Sequence, residues 1–386
     1  NSVAHYYQRA SSADYLGVDP TRRSLTGTGG YVKVGRKGNA KWNFSETFTW
    51  SSPGFDLNDM GYMKETDYLM NETEIMYRQT DIWKIFRYNA FTLSQKNMWN
   101  YGGTPFSNNA SLRWQSMTMN RYEWDVKETF AWNWLDSRLL RGGPDVRFGS
   151  YFLTSAKFNT DKAKRMMFML KYEGDHNFEG NRFNTISPSL TFRLGNHVYL
   201  SGQLDYAWNT DEMQYVATTS PLSSSSLAPY YYVMGHMDQK TYGLTLKLQV
   251  NVTPDISIQF YGAPFTSIAK YDDFKLAADT KSHTFENRFQ RIDPDQLTYA
   301  DGVYTIGEGA GQMPFRNPDF RFNEFRSNLV ARWEYLPGST LYFVWEHRMS
   351  NRDNWYSSGW GSNLDRMWGL PATNTFMIKM NYWFNL

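Results

Sequence analysis

The chain has 386 residues, with 40 Lys and Arg against 38 Asp and Glu, 6 His and no Cys. A net charge of +2, spread rather than clustered, gives no footprint for nucleic acid, and without cysteine neither a disulfide framework nor a thiolate metal site exists. Aromatic residues reach 18% while mean hydropathy is -0.62; no run of roughly 18 apolar residues supplies a helical span, so strands with one apolar and one polar face are the structure that reconciles the two values.

In chain order, the first residues, 1–9, are where an upward strand is expected, short or truncated. Further on, Glu46 stands between Phe44 and Phe48, and Glu128 between Val126 and Phe130. In strict period two, both carboxylates fall on apolar faces. A β-bulge that shifts the register is the expected remedy; contact with a partner protein is the alternative. Residues 62–97 alternate poorly. From 198 to 209, Val198, Leu200, Leu204, Tyr206 and Trp208 alternate with Tyr199, Ser201, Gln203, Asp205 and Asn209. Tyr242, Leu244, Leu246, Leu248, Val250 and Val252 form the next apolar face, and after a turn at 253–255 Ile256, Ile258 and Phe260 resume it. Phe325, Leu329, Ala331, Trp333 and Tyr335 precede a turn at 336–339; Leu341, Phe343 and Trp345 follow it. The chain ends on Phe376, Ile378, Met380, Tyr382, Phe384 and Leu386, all on one face and expected to meet lipid. A soluble protein rarely leaves such an edge strand at its terminus.

Short turns at 36–39, 81–84, 120–121, 160–164, 195–197, 253–255 and 336–339 alternate with longer connections at 52–61, 98–108, 135–149, 174–182, 210–239, 270–322 and 350–373. Short periplasmic turns and long extracellular loops are the pattern of an outer-membrane β-barrel. The fold class expected is therefore all-β, a transmembrane antiparallel barrel of about 16 strands, with fourteen as the alternative, forming a single domain over 1–386. Its place is the bacterial outer membrane, which implies export and a removed signal peptide.

Catalytic patterns are sparse. His5, His176, His197, His236, His283 and His347 show no local metal-ligand spacing. Ser327 and His347 fall on the same apolar face of neighbouring strands, but an interfacial histidine explains His347 without chemistry. No enzyme activity, cofactor or metal is expected. The 307–311 stretch is glycine-rich but lacks the strand–helix context of a phosphate loop. The polar face carries more. Glu324, Arg326, Arg332, Glu334, Glu346, Arg348 and Lys379 come from three successive strands and are expected to line a pore wall; a salt-bridge ladder that fixes barrel shape is the other reading. Loop 270–322, with Asp272, Asp273, Asp293, Asp295 and Asp301, is long enough to act as a plug or lid. Tyr230, Tyr231 and Tyr232, and Trp355, Tyr356, Trp360 and Trp368, are candidates for stacking on sugars or for an aromatic girdle.

Several segments carry a resemblance: 4–9 (AHYYQR), 14–22 (DYLGVDPTR), 52–62, 140–144 (LRGGP), 325–340 and the ending at 382–384. They resemble the C-terminal barrel of an uncharacterised Bacteroidota outer-membrane family. Its members typically carry an N-terminal module similar to a carbohydrate-binding domain, which is expected to be absent from this chain. The resemblance spans essentially the whole chain and carries over no functional residue. Function is expected in the transport class: a porin-like channel or a receptor for solutes, glycans among them. A membrane anchor or scaffold subunit within a larger outer-membrane complex is the alternative. Expected partners are outer-membrane lipid, other outer-membrane proteins or lipoproteins, and a glycan ligand.

Overall fold

The computed structural model describes residues 21–384 apart from 22, 37, 58–62, 64, 223–228 and 355–359. Strands β1 (Gly29–Arg36), β2 (Trp42–Ser51), β3 (Tyr68–Gln79), β4 (Phe86–Trp99), β5 (Pro105–Thr118) and β6 (Glu123–Trp132) pair in sequence order. The short β7 (Trp134–Asp136) and β8 (Val146–Phe148) form a separate hairpin. The main sheet resumes with β9 (Tyr151–Asn159), β10 (Met166–Asn177), β11 (Arg182–Leu194), β12 (Val198–Thr219), β13 (Tyr231–Asn251) and β14 (Ile256–Ala277). Next, β15 (Phe289–Arg291) pairs with the end of β14, and β16 (Leu297–Ala300), β17 (Val303–Ile306) and β18 (Met313–Arg316) make a small sheet. Finally β19 (Phe320–Leu336), β20 (Ser339–Asp353), a helix α1 (Trp360–Trp368) and β21 (Thr373–Asn381) complete the chain. The fold is all-β, built on one 16-stranded antiparallel sheet; setting aside the side member β15 leaves fifteen strands in a continuous path. The strand expected at 1–9 lies outside the described residues.

Each predicted short turn falls between two successive strands. Gly195 (φ 63°) and Gly338 (φ 78°) occupy the left-handed region in two of them, where a side chain would be strained. The long connections need correction. Residues 210–239 are mostly strand: β12 runs to Thr219 and β13 starts at Tyr231. Register shifts between Asp211 and Gln214, Tyr215 and Ala217, and Met234 and His236 break the two-residue period, so the extensions do not read as strand in sequence. Likewise 98–108 and 174–182 shrink to turns of a few residues, and β14 continues to Ala277.

Cross-strand partners assign every side chain to a face. Starting from the last strand, Phe376 lies opposite Trp345, which lies opposite Leu329. Then follow Phe260, Leu248, Leu200 and Phe192. The same face continues through Leu170, Phe158 and Trp124, then Val126, Trp114, Phe91, Tyr77 and Trp42. One continuous apolar face thus crosses the whole path, and it is exposed on interior strands too: Leu112 is 57% exposed, Phe91 44% and Phe343 39%. An exposed apolar patch of this extent marks an interaction surface.

Glu46 and Glu128 belong to this face. Their strands pair without a register shift, so the expected bulge is not there. Instead the carboxylates are held sideways: Glu46 accepts hydrogen bonds from Asn71 and, at 2.6 Å, from Thr73, and Glu128 accepts one from Thr154 at 2.7 Å. Asn71, Thr73, Gln95 and Asn97 share the face. Their polarity explains why 62–97 alternates poorly although it forms β3 and β4.

Buried apolar residues gather at the end where β12, β13 and β14 overshoot their neighbours. One cluster joins Val233, Met237, Tyr271 and Phe274 to Ile306 and Phe315 of the small sheet; another joins Leu140 and Val146 of the 133–150 segment to Met213, Met234 and Phe289.

Candidate functional site

All seven predicted wall residues share the polar face. Arg326 lies opposite Arg348, and Arg332 opposite Tyr342, which in turn faces Lys379. They form two ion-paired clusters rather than a segregation of signs. In one, the Glu324 carboxylate accepts from Arg326 at 2.9 Å and from Arg348 at 2.9 Å. In the other, Arg332 reaches Glu334 at 2.5 Å. Glu346 stands between them, opposite Asn328 and Thr375. Of these pairs only Arg348 with Glu324 crosses between strands, and charges paired in this way leave little net field for a passing solute. Phe376, Ile378 and Met380 lie on the far face and are exposed, as are Tyr382 and Phe384 beyond the end of β21; Leu386 lies outside the described residues.

The more elaborate chemistry sits at the overshooting end, where sequence alternation fails. Region 278–319 folds back over the polar face, since its cluster includes Ala269 and Tyr271, residues of that face by register. Segment 133–150 folds against it. Arg147 donates its backbone N–H to Thr280 at 2.9 Å, and the Thr280 hydroxyl donates to Asp145 at 2.7 Å. The fastening is Arg288, 1% exposed. Its guanidinium meets Glu179 at 2.8 and 2.9 Å and donates to the carbonyls of Ser282, Arg147 and His283. A planar fork with both edges used is the role Arg suits and Lys does not. Nothing in sequence marked Arg288 or Glu179, which stand 109 residues apart.

Two cavities open on the polar face beside β7. One, of about 310 Å³, lies between β7–β8 and the ends of β9 to β12, with Trp134, Tyr151, Asp175 and Asp211 in its walls. The other, of about 190 Å³, lies on the opposite side of β7, toward Lys96 and Asn109. Burial pushes the Asp211 carboxyl above the usual carboxylate range, and the neighbouring Glu212 charge adds to the rise; a backbone hydrogen bond from Met213 works against both.

The remaining candidates resolve into packing. Ser327 lies directly opposite His347, but the His347 ring bonds to Asn374 at 2.9 Å and packs between Phe325 and Trp345. Tyr232 joins the Leu140 cluster. Asp273 stands beside Lys275 and Arg291 at 3.4 and 3.8 Å. Trp368 packs edge-on to Phe325 at 4.9 Å; Trp355 and Tyr356 lie outside the described residues.

His236 gives this end a pH response. Burial lowers its pKa, but the hydrogen bond with Glu212 and the charges of Glu212, Asp238 and Asp272 outweigh that and raise it above its ordinary 6.5. These carboxylates come from β12, β13 and β14, with Glu212 at 3.2 Å and Asp238 at 3.6 Å. A raised pKa means the protonated form stabilises the folded end, fully below the ordinary value and not at all above the raised one. Hydrogen-exchange protection of residues 231–238 is therefore expected to fall as pH rises from about 6.5, and His236→Gln to remove that dependence.

A family model described as "Domain of unknown function (DUF5916)" matches residues 4–386. No curated protein and no solved structure matches the chain.

Proposed function

We propose that this chain, which belongs to the DUF5916 family, is an outer-membrane β-barrel acting as a porin-like channel or receptor for solutes. The observation that carries the reading is the register-continuous, exposed apolar face opposed by a polar one. In a barrel the first meets lipid and the second lines the lumen. Most of the strands away from the overshooting end are 8 to 14 residues long, close to the roughly 9–11 needed to span. Parity also supports closure through one more strand. With fifteen antiparallel strands in the path, β1 and β21 run the same way, so a strand antiparallel to both fits between them. The overshooting end then forms the mouth, narrowed by 133–150 and covered by 278–319. As the family resemblance implies, the setting is a Bacteroidota outer membrane.

Conductance across a planar bilayer tests this. The purified chain is expected to give small current steps or none. Replacing 280–316 with a short linker is expected to enlarge them several-fold. Absence of steps from both proteins contradicts the reading.

A scaffold role draws on Glu46 and Glu128. Carboxylates at mid-height on a lipid face are costly, and a neighbouring protein that donates hydrogen bonds relieves the cost. Glu46→Leu with Glu128→Leu is then expected to release a copurifying partner in gentle detergent; release of nothing speaks against this role.

A further inference from the structure

We propose that the cavity between β7–β8 and the polar-face ends of β9 to β12 is a binding subsite for the ring of a neutral sugar. The inference rests on the reading of the chain as a solute-admitting barrel and names the class of solute its mouth retains.

Size and shape come first. About 310 Å³ lies at the low end of the roughly 300–1,000 Å³ of ligand pockets, room for a small ring rather than a folded chain. Trp134 and Tyr151 supply aromatic surface, set edge to face at 5.8 Å. Such surfaces take the C–H face of a pyranose, which is apolar although the ring's rim is not.

The rim needs groups that both donate and accept, because each hydroxyl does both. Acceptors come from Asp175 and Asp211. Donors come from Asn177 and Asn181, whose amide orientation is fixed by the backbone. The Asn177 Oδ1 accepts from the N–H groups of Glu179 at 2.9 Å and of Asn181 at 2.8 Å. The Asn181 Oδ1 accepts from Glu212 N–H at 2.6 Å. Each amide therefore turns its Nδ2 donor away from those bonds, and both residues line the cavity.

Charge narrows the class. Three carboxylates, Asp136, Asp175 and Asp211, line the cavity against the one guanidinium of Arg182, a balance that disfavours an anionic ligand. A small organic cation is the competing solution, since aromatic rings and carboxylates also suit it. The paired amide donors favour the sugar, for a cation offers them no acceptor.

Calorimetry on the full chain in detergent tests the subsite, with maltohexaose, cellohexaose and laminarihexaose as probes and tetramethylammonium as the cation. At least one hexasaccharide is expected to bind. Trp134→Ala and Asp211→Asn are each expected to weaken that binding about tenfold or more, which corresponds to about 1.4 kcal/mol. Trp333→Phe, on the opposite face, leaves it unchanged. Heat-dependent gel migration verifies that the variants remain folded. The proposal is overturned if none of the three sugars binds, if both cavity variants bind like the parent, or if tetramethylammonium binds in an Asp211-dependent way while sugars do not. Failure here while the 280–316 replacement still gives current steps removes the subsite alone; absence of steps from both the parent and that variant removes the barrel reading beneath it.

Discussion

Arg288→Met is expected to destabilise the overshooting end by about 3–5 kcal/mol while leaving the main sheet intact. Removing one partner of a buried ion pair leaves the other charged and unsatisfied. Glu179 would be that partner, with only 11% of its side chain exposed, and three carbonyls would lose their donor as well. The site joins three parts of the chain: the β10–β11 turn, the 133–150 segment and the 278–291 segment. Its loss therefore frees the cover over the polar face. Limited proteolysis should show new cleavage within 278–319, and amide exchange there should accelerate by about two to four orders of magnitude. Arg288→Lys should give partial rescue, because an ammonium restores charge but not the fork. Unchanged proteolysis in Arg288→Met would show that the apolar clusters alone hold the cover.

Placing Arg at Phe343 is expected to cost about 2–4 kcal/mol in a bilayer, the penalty for a cation at mid-depth on a lipid-facing strand. Phe343 lies between Ala331 and Ile378 on the apolar face. Val344, the next residue, lies between Val330 and Met377 on the polar face, and Val344→Arg should cost less than about 1 kcal/mol. Denaturant titration in vesicles measures both. Were the sheet bathed in water on both sides, the order would vanish, because exposed substitutions away from special features usually fall within about 0.5 kcal/mol.

Legibility in the sequence followed the physics of the two faces. Where strands keep strict period two, as from Leu341 to Trp345 or from Tyr242 to Val250, pattern and register agree residue by residue. The charged wall was visible for the same reason. Reading failed where side chains obey something other than the pleat. Polar residues on the apolar face hid β3 and β4, and the laterally bonded Glu46 and Glu128 suggested a bulge that the register does not contain. Bulges hid the outer halves of β12 and β13, leaving them to be read as loop. The overshooting end was unreadable because it is assembled from distant segments: Arg288 meets Glu179 across 109 positions, and Trp134 and Asp211 come to line one cavity only through the fold. Loop 270–322 stood out by length as a candidate plug or lid, but its small sheet and its contact with 133–150 had no local signature.

The most direct measurement of the central claim uses the absence of native cysteine, which makes each introduced one unique. Nitroxide labels are placed singly at 341 to 346 of β20 in reconstituted vesicles, and their collision rates with oxygen and with a water-soluble nickel complex are compared. The account predicts a two-residue alternation: oxygen dominates at 341, 343 and 345, nickel at 342, 344 and 346. Nickel dominance at all six positions would contradict it.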